Sequence, residues 1–99
     1  MIYADVFTAS ANGDMAPRLF EESITVAEVS ITGAAAGTAT VKIYHSINGR
    51  TYRQIATMTM DQATGSSDLH VTLWPPGWYY ASVANLPSGG KISISFAGE

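Results

Sequence analysis

Asp68 and His70 are the two residues whose types and spacing come closest to a catalytic or metal-binding arrangement. They stand at alternate positions of the sequence, and alternate side chains of a β-strand point to the same face. An Asp-x-His pair on a strand could orient an imidazole or supply half of a metal site. A general base or a metal site needs further polar groups close by, which this pair alone does not supply. We therefore interpret the pair as a solvated or interface polar stripe.

The other residues and motifs that could support catalysis or metal binding also give no indication of an enzyme. The chain has no cysteine, which excludes a disulfide framework, thiol catalysis and thiolate metal sites. Eight acidic residues are scattered along the sequence, a weak signal for the paired carboxylates of a glycosidase. No nucleophile elbow and no glycine-rich phosphate-binding loop is present. We predict no catalytic residue, no metal and no cofactor.

The segment Trp74-Pro-Pro-Gly-Trp78-Tyr79-Tyr80 concentrates aromatic side chains around a stiff turn. Aromatic rings serve as stacking platforms for sugars and as anchors of protein interfaces, and a loop stiffened by proline loses little entropy on binding. Three interpretations are open. The segment can cap one end of the core, contact another protein, or bind a sugar or another ligand.

Composition and charge narrow the class of partner. The chain is 46% hydrophobic and only 13% charged, against about 25% charged residues in an ordinary soluble domain. Such a surface is either covered in part by a partner or rich in threonine and serine. The net charge is −3, and the five lysines and arginines form no cluster, which argues against direct nucleic-acid binding. The N-terminus has no signal-peptide pattern, and no apolar run approaches the roughly 20 residues of a membrane helix.

Apolar and polar residues alternate along most of the chain, and this period of two is typical of β-strands. The 99 residues suit a single domain, because domains commonly hold about 100–150 residues. The pattern predicts an all-β fold, an antiparallel β-sandwich or jelly-roll-like barrel of about seven strands. The predicted strands cover residues 2–8, 23–32, 38–47, 51–60, 68–73, 78–83 and 92–96, and an irregular connection covers about 9–21.

The strongest local signal is Asn48-Gly49, which stands between two alternating runs. Both residues tolerate the positive φ that a type I′ turn needs at its central positions. The sequence therefore predicts a tight hairpin. This turn fixes the register, with Ala39, Val41 and Ile43 on one face of the first strand and Lys42 and Tyr44 on the other.

Three further features of the strands carry predictions. Residues 2–8 have apolar groups on both faces, as expected for a strand that is covered on both sides. A phase slip in residues 23–32 predicts a β-bulge near Ala27-Glu28. Leu69, Val71 and Leu73 are predicted to line one face of a strand, which must end at the prolines because proline cannot donate to a central ladder.

Residues 38–97 resemble the small β-sandwich modules of tailed-bacteriophage virion proteins, and also discoidin-type carbohydrate-binding sandwiches. The resemblance lies in Ser46-Ile-Asn-Gly-Arg-Thr-Tyr52, in Gly77-Trp-Tyr-Tyr-Ala-Ser-Val, and in Pro87-Ser-Gly-Gly-Lys-Ile-Ser-Ile-Ser-Phe. The lack of cysteine and of a signal peptide favours a phage particle protein, assembled in the bacterial cytoplasm, over a secreted lectin.

The resemblance implies a capsid decoration or cement protein that stabilises a viral shell, with a major capsid protein or another virion protein as partner. Such proteins commonly form homo-oligomers, often trimers. The alternative is a carbohydrate-binding module that attaches to a glycan or a host surface. The candidate interface residues are Tyr3, Phe7, Leu19, Phe20, Trp74, Trp78 and Tyr80.

Overall fold

The computed structural model describes residues 2–33, 37–61 and 67–98, with the backbone alone for 67–72. The described residues form nine β-strands and no helix, so they offer no helix with the length and apolar character to cross a membrane. The strands are β1 (Ile2–Ala9), β2 (Gly13–Asp14), β3 (Arg18–Phe20), β4 (Ile24–Thr32), β5 (Thr38–Ser46), β6 (Arg53–Asp61), β7 (Ser67–Trp74), β8 (Gly77–Ala84) and β9 (Lys91–Gly98).

The strands build two antiparallel sheets that pack as a β-sandwich. The first sheet has the order β1-β9-β4-β7, and the second has the order β2-β8-β5-β6, with β3 also paired to β8. The predicted fold class is confirmed. The predicted strand number was too low, because β2 and β3 lie in the 9–21 connection and are too short to show alternation.

The core is formed by the side chains on one face of each sheet, and the alternation in the sequence explains which side chains those are. Along β5 every second side chain from Ala39 to Ile43 is buried, while Lys42 is exposed, which confirms the predicted inward and outward faces of this strand. Five rings join the two sheets through edge-to-face contacts. These are Phe7, Phe20, Trp74, Tyr79 and Phe96.

Strand pairing and burial correct two local predictions and leave a third untested. The irregularity in β4 lies between Ile24 and Val26, rather than at Ala27-Glu28. Leu73 is 72% exposed whereas Trp74 is buried, so the side chain that enters the core at the end of β7 is the tryptophan. The first strand is an edge strand with Ile2 80% exposed, and only Val6 and Phe7 of β1 are buried, so cover of its other residues by another chain stays a prediction.

Candidate functional site

The outer face of the second sheet carries a continuous group of large side chains. Residues that pair directly across antiparallel strands share a face. Leu19 pairs with Trp78, and Tyr44 pairs with Tyr80, so β3, β8 and β5 bring these four to one surface. Tyr52 reaches the same surface from the loop that follows β5. We call Leu19, Tyr44, Tyr52, Trp78 and Tyr80 the aromatic face.

The three tyrosine rings of the aromatic face contact one another through Tyr80. Tyr44 and Tyr80 stack with centroids 4.6 Å apart and planes within 6° of parallel. Tyr52 meets Tyr80 edge to face at 4.9 Å. Aromatic pairs at such distances are favourable beyond the area that they bury, so the three rings form one rigid unit on the sheet.

Burial and charge both act on the phenol at the centre of this unit. Desolvation raises the pKa of Tyr80, and the neighbouring Asp14, Tyr44 and Tyr52 raise it further. Asp14 lies on β2 beside Ser82, which is two residues along β8 from Tyr80. The Tyr80 hydroxyl therefore stays protonated at neutral pH and can donate a hydrogen bond to a partner.

The loop between β5 and β6 supports Trp78, and its conformation differs from the predicted turn. It spans residues 47–52, and Gly49 has a φ of 75°, whereas Asn48 does not adopt a positive φ as a type I′ turn requires. A methyl group on Gly49 would lie 3.1 Å from Nε1 and 3.2 Å from Cδ1 of Trp78. The indole therefore lies over this glycine.

Two side chains replace the predicted turn geometry with hydrogen bonds. The buried hydroxyl of Ser46 accepts from the amide of Gly49 at 2.9 Å and donates to Oδ1 of Asn48 at 2.9 Å. The same Oδ1 accepts from the amides of Arg50 at 2.8 Å and Thr51 at 3.1 Å. Local side-chain to backbone bonds of this kind compete with standard turns. The hairpin itself is present, because β5 and β6 pair antiparallel.

We expect Asn48→Ala to lower the free energy of unfolding by about 1–2 kcal/mol, since two backbone amides lose their acceptor and each hydrogen bond contributes about 0.5–1.5 kcal/mol. Asn48→Asp keeps the acceptor oxygen and serves as the matched control. Urea denaturation of the three proteins measures the difference. Equal loss in both variants would show that the Oδ1 hydrogen bonds do not hold the loop.

Tyr79 holds the turn that precedes Trp78. Its side chain is buried against the core, and its hydroxyl donates a hydrogen bond to the carbonyl oxygen of Pro75. Burial raises the pKa of Tyr79 well above the ordinary value. The folded state therefore stabilises the protonated, neutral form of the Tyr79 hydroxyl.

This burial predicts a loss of stability at alkaline pH. As the pH rises above about 10, tyrosine in the unfolded chain ionises while Tyr79 in the folded chain does not, so the unfolded state is favoured. The stabilisation is complete below that pH and is lost as the pH rises toward the folded pKa. Denaturation from pH 8 to 11 should show a steeper fall for the wild type than for Tyr79→Phe. Identical slopes would contradict it.

The seven predicted interface residues divide between the surface and the core. Leu19, Trp78 and Tyr80 come together on the aromatic face. Tyr3 is half-buried and packs against Phe20 with centroids 5.0 Å apart, away from that face. The predicted contact role is corrected for Phe7, Phe20 and Trp74, since each is buried between the sheets and at most 7% exposed.

Tyr44 and Tyr52 belong to the aromatic face but were not among the predicted residues. Alternation in the sequence predicts that Tyr44 points outward from its strand, but it does not predict which residue lies beside it. Its neighbour Tyr80 is far away in the sequence, and only the pairing of β5 with β8 brings them together. Tyr52 lies in a loop, where alternation gives no direction.

The Asp-x-His pair lies outside the side chains that the structure describes. The backbone places Asp68 and His70 on β7, paired with Val29 and Ala27. The described residues contain no group of three or more histidine, cysteine or acidic side chains that could hold a metal ion.

Comparison with known proteins identifies the fold. No protein-family model matches the sequence, and no curated protein matches it as a relative. Among solved structures, the chain is similar to PirA, with a TM-score of 0.60, 12% identity and 96% of this chain matched to 94% of that one. It is also similar to CBM32-1 from a family 31 glycoside hydrolase of Clostridium perfringens, with a TM-score of 0.60, 13% identity and coverage of 96% and 79%. The SPBc2 prophage-derived protein YomS matches with a TM-score of 0.53, 8% identity and coverage of 99% and 92%. At these identities the likeness shows a shared β-sandwich fold.

Proposed function

We propose that this chain is a non-enzymatic structural protein of a bacteriophage virion, a capsid decoration or cement protein that stabilises the shell. The observation that carries the proposal is the aromatic face, in which four aromatic rings and Leu19 lie on one outer sheet surface. Tyrosine and tryptophan are enriched at protein interfaces and supply most of their binding energy. The partner is the major capsid protein or another virion protein, and the chain assembles into the particle in the host cytoplasm as a homo-oligomer, with a trimer favoured.

The arrangement of the rings suits a protein partner better than a sugar. Parallel rings at 4.6 Å cover one face of each other, and Tyr52 meets Tyr80 at 4.9 Å, so less ring face is left for a sugar to stack on. Two aliphatic side chains are open to solvent at this surface. Leu19, which belongs to the aromatic face, is 51% exposed, and Ile47 in the adjoining 47–52 loop is 87% exposed. Aliphatic groups bind through apolar contact with other side chains, which a protein surface provides.

A further observation supports the proposal. The matched solved structures include a prophage-derived protein, and this chain spans nearly all of its length. A small β-sandwich that acts through one surface is consistent with that likeness.

The alternative is a carbohydrate-binding module, and the indole of Trp78 is the observation that favours it. The loop at Gly49 covers one side of this ring, and the ring remains partly exposed. The fold likeness to CBM32-1 is compatible with this function. A glycan array separates the two functions: signal that disappears in Trp78→Ala would establish the sugar site and overturn the proposal.

We expect Tyr80→Ala to weaken binding to capsid particles by about 30-fold, because truncation of a central interface tyrosine costs about 2 kcal/mol or more. Co-sedimentation with shells assembled from the major capsid protein of the same genome measures the affinity. Thr40→Ala is the matched control, since Thr40 lies on the same sheet opposite Ala84, away from the rings. Failure of the wild type to bind any such shell, or full binding by Tyr80→Ala, would overturn the proposal.

A further inference from the structure

A cleft of about 360 Å³ opens at the end of the sandwich beside the aromatic face. Its walls come from the end of β5, the 47–52 loop and the start of β6. Tyr52 lines the cleft and also contacts Tyr80, so the cleft and the aromatic face are continuous.

The charge of the cleft is positive, although the chain as a whole is negative. Arg53 lines it, and no carboxylate is among its walls. The sequence has no acidic residue between Glu28 and Asp61, so the 47–52 loop and the adjoining ends of β5 and β6 supply none, and Asp61 stands at the far end of β6. Within the part of the chain whose side chains are described, Arg53 has no ion pair. An exposed guanidinium in a concave site without a counter-charge is suited to a carboxylate, whose two oxygens it can bind together.

The neighbouring groups add donors and fix the shape of the cleft. Thr51 and Tyr52 contribute hydroxyls to the walls. Nε2 of His45 lies 3.2 Å from the carbonyl oxygen of Pro76, and a carbonyl only accepts, so Nε2 carries the hydrogen and the ring is held in place. Ile47 forms an apolar rim that is 87% exposed.

We infer that this cleft binds the carboxylate of a glutamate or aspartate side chain of the protein partner, while the aromatic face packs beside it. The inference rests on the proposed function for its choice of a protein as the source of the carboxylate. Ile47 supports that choice, because an aliphatic rim favours the apolar neighbours of an acidic side chain over the hydroxyl-covered surface of a sugar acid.

The test uses the isolated chain and a blocked glutamate, acetyl-glutamate-methylamide, as the probe. In an NMR titration it should shift the amide signals of residues 51–53, and blocked glutamine, which lacks the charge, should not. Arg53→Gln should weaken the binding at least about tenfold, as expected for the loss of a charge-assisted hydrogen bond. Arg50→Gln is the matched control, because Arg50 lies in the same loop but does not line the cleft and should leave the affinity unchanged.

Three outcomes overturn the inference. They are no shift with blocked glutamate, equal loss in the two arginine variants, and binding of glucuronate at lower concentration than blocked glutamate, which would identify a sugar acid as the ligand. The experiment needs no capsid. Binding of blocked glutamate without binding to any shell would support the carboxylate site and contradict the proposed function. Binding to shells without binding of blocked glutamate would support the proposed function and contradict the carboxylate site.

Discussion

Replacing Phe20 with alanine is expected to lower the free energy of unfolding by about 3–5 kcal/mol, the usual cost of removing a buried phenylalanine ring. The ring is 1% exposed and meets Phe96 at 5.3 Å and Tyr79 at 5.7 Å, both edge to face. It therefore contacts both sheets, and the cavity left behind would lie where they meet. Urea denaturation followed by tryptophan fluorescence measures the loss.

Leu19→Ala is the matched control for Phe20→Ala. The two residues are neighbours on the same short strand, but Leu19 points outward and is 51% exposed, so its truncation should cost less than about 1 kcal/mol. If the two variants lose similar stability, the short strand β3 does not hold its phenylalanine in the core.

Phe20 also links the core to the aromatic face. It anchors β3, and β3 places Leu19 beside Trp78. The two variants should therefore separate folding from binding. Leu19→Ala should fold normally and bind a partner less tightly, whereas Phe20→Ala should lose both through the fold.

The central hairpin shows what alternation can and cannot determine. The inward set of β5, Ala39, Val41 and Ile43, follows from a period of two, which is local, and the structure confirms it. The turn did not follow from Asn48-Gly49, because the hydroxyl of Ser46 and the side-chain oxygen Oδ1 of Asn48 accept hydrogen bonds from the loop amides instead. The Asn-Gly dipeptide alone does not show whether a type I′ turn or side-chain hydrogen bonds to the loop backbone will form.

The two short strands of the 9–21 connection could not be predicted from alternation, because of their length. β2 and β3 hold two and three residues, and a period cannot be read from so few. They exist because β8 offers an edge to which they add. The sequence predicts a surface contact for Phe20, because its flanking residues give no signal that a strand inserts it between two sheets.

The aromatic face required long-range pairing. Leu19, Trp78 and Tyr80 could be chosen as candidates because they are large apolar residues in or near loops and turns. Their gathering with Tyr44 depends on which strands become neighbours, a property of topology that a single sequence does not carry. Trp74 was assigned to a contact on the same grounds, but β7 turns it into the core.

Gly77→Ala is expected to cost about 2–6 kcal/mol, through two separate effects. Gly77 has a φ of 146°, which L-residues rarely adopt, and holding alanine there costs about 1–3 kcal/mol. A methyl group would also lie 2.7 Å from the carbonyl oxygen of Ser46 and 2.5 Å from Nε2 of His45. Relieving such overpacking costs about 1–3 kcal/mol more, because the Ser46 oxygen is backbone and cannot rotate away.

Gly13→Ala separates these two effects. Gly13 has a similar φ of 128°, but a methyl group there meets nothing within 4 Å, so this variant should show the backbone strain alone. The excess loss in Gly77→Ala over Gly13→Ala then measures the clash. That clash pushes β8 away from the end of β5 where Trp78 faces Ser46, so binding to a partner should fall further than stability alone predicts. Equal stability losses in the two variants would show that the turn at Pro75-Pro76 yields, and that the aromatic face does not depend on close contact at Gly77.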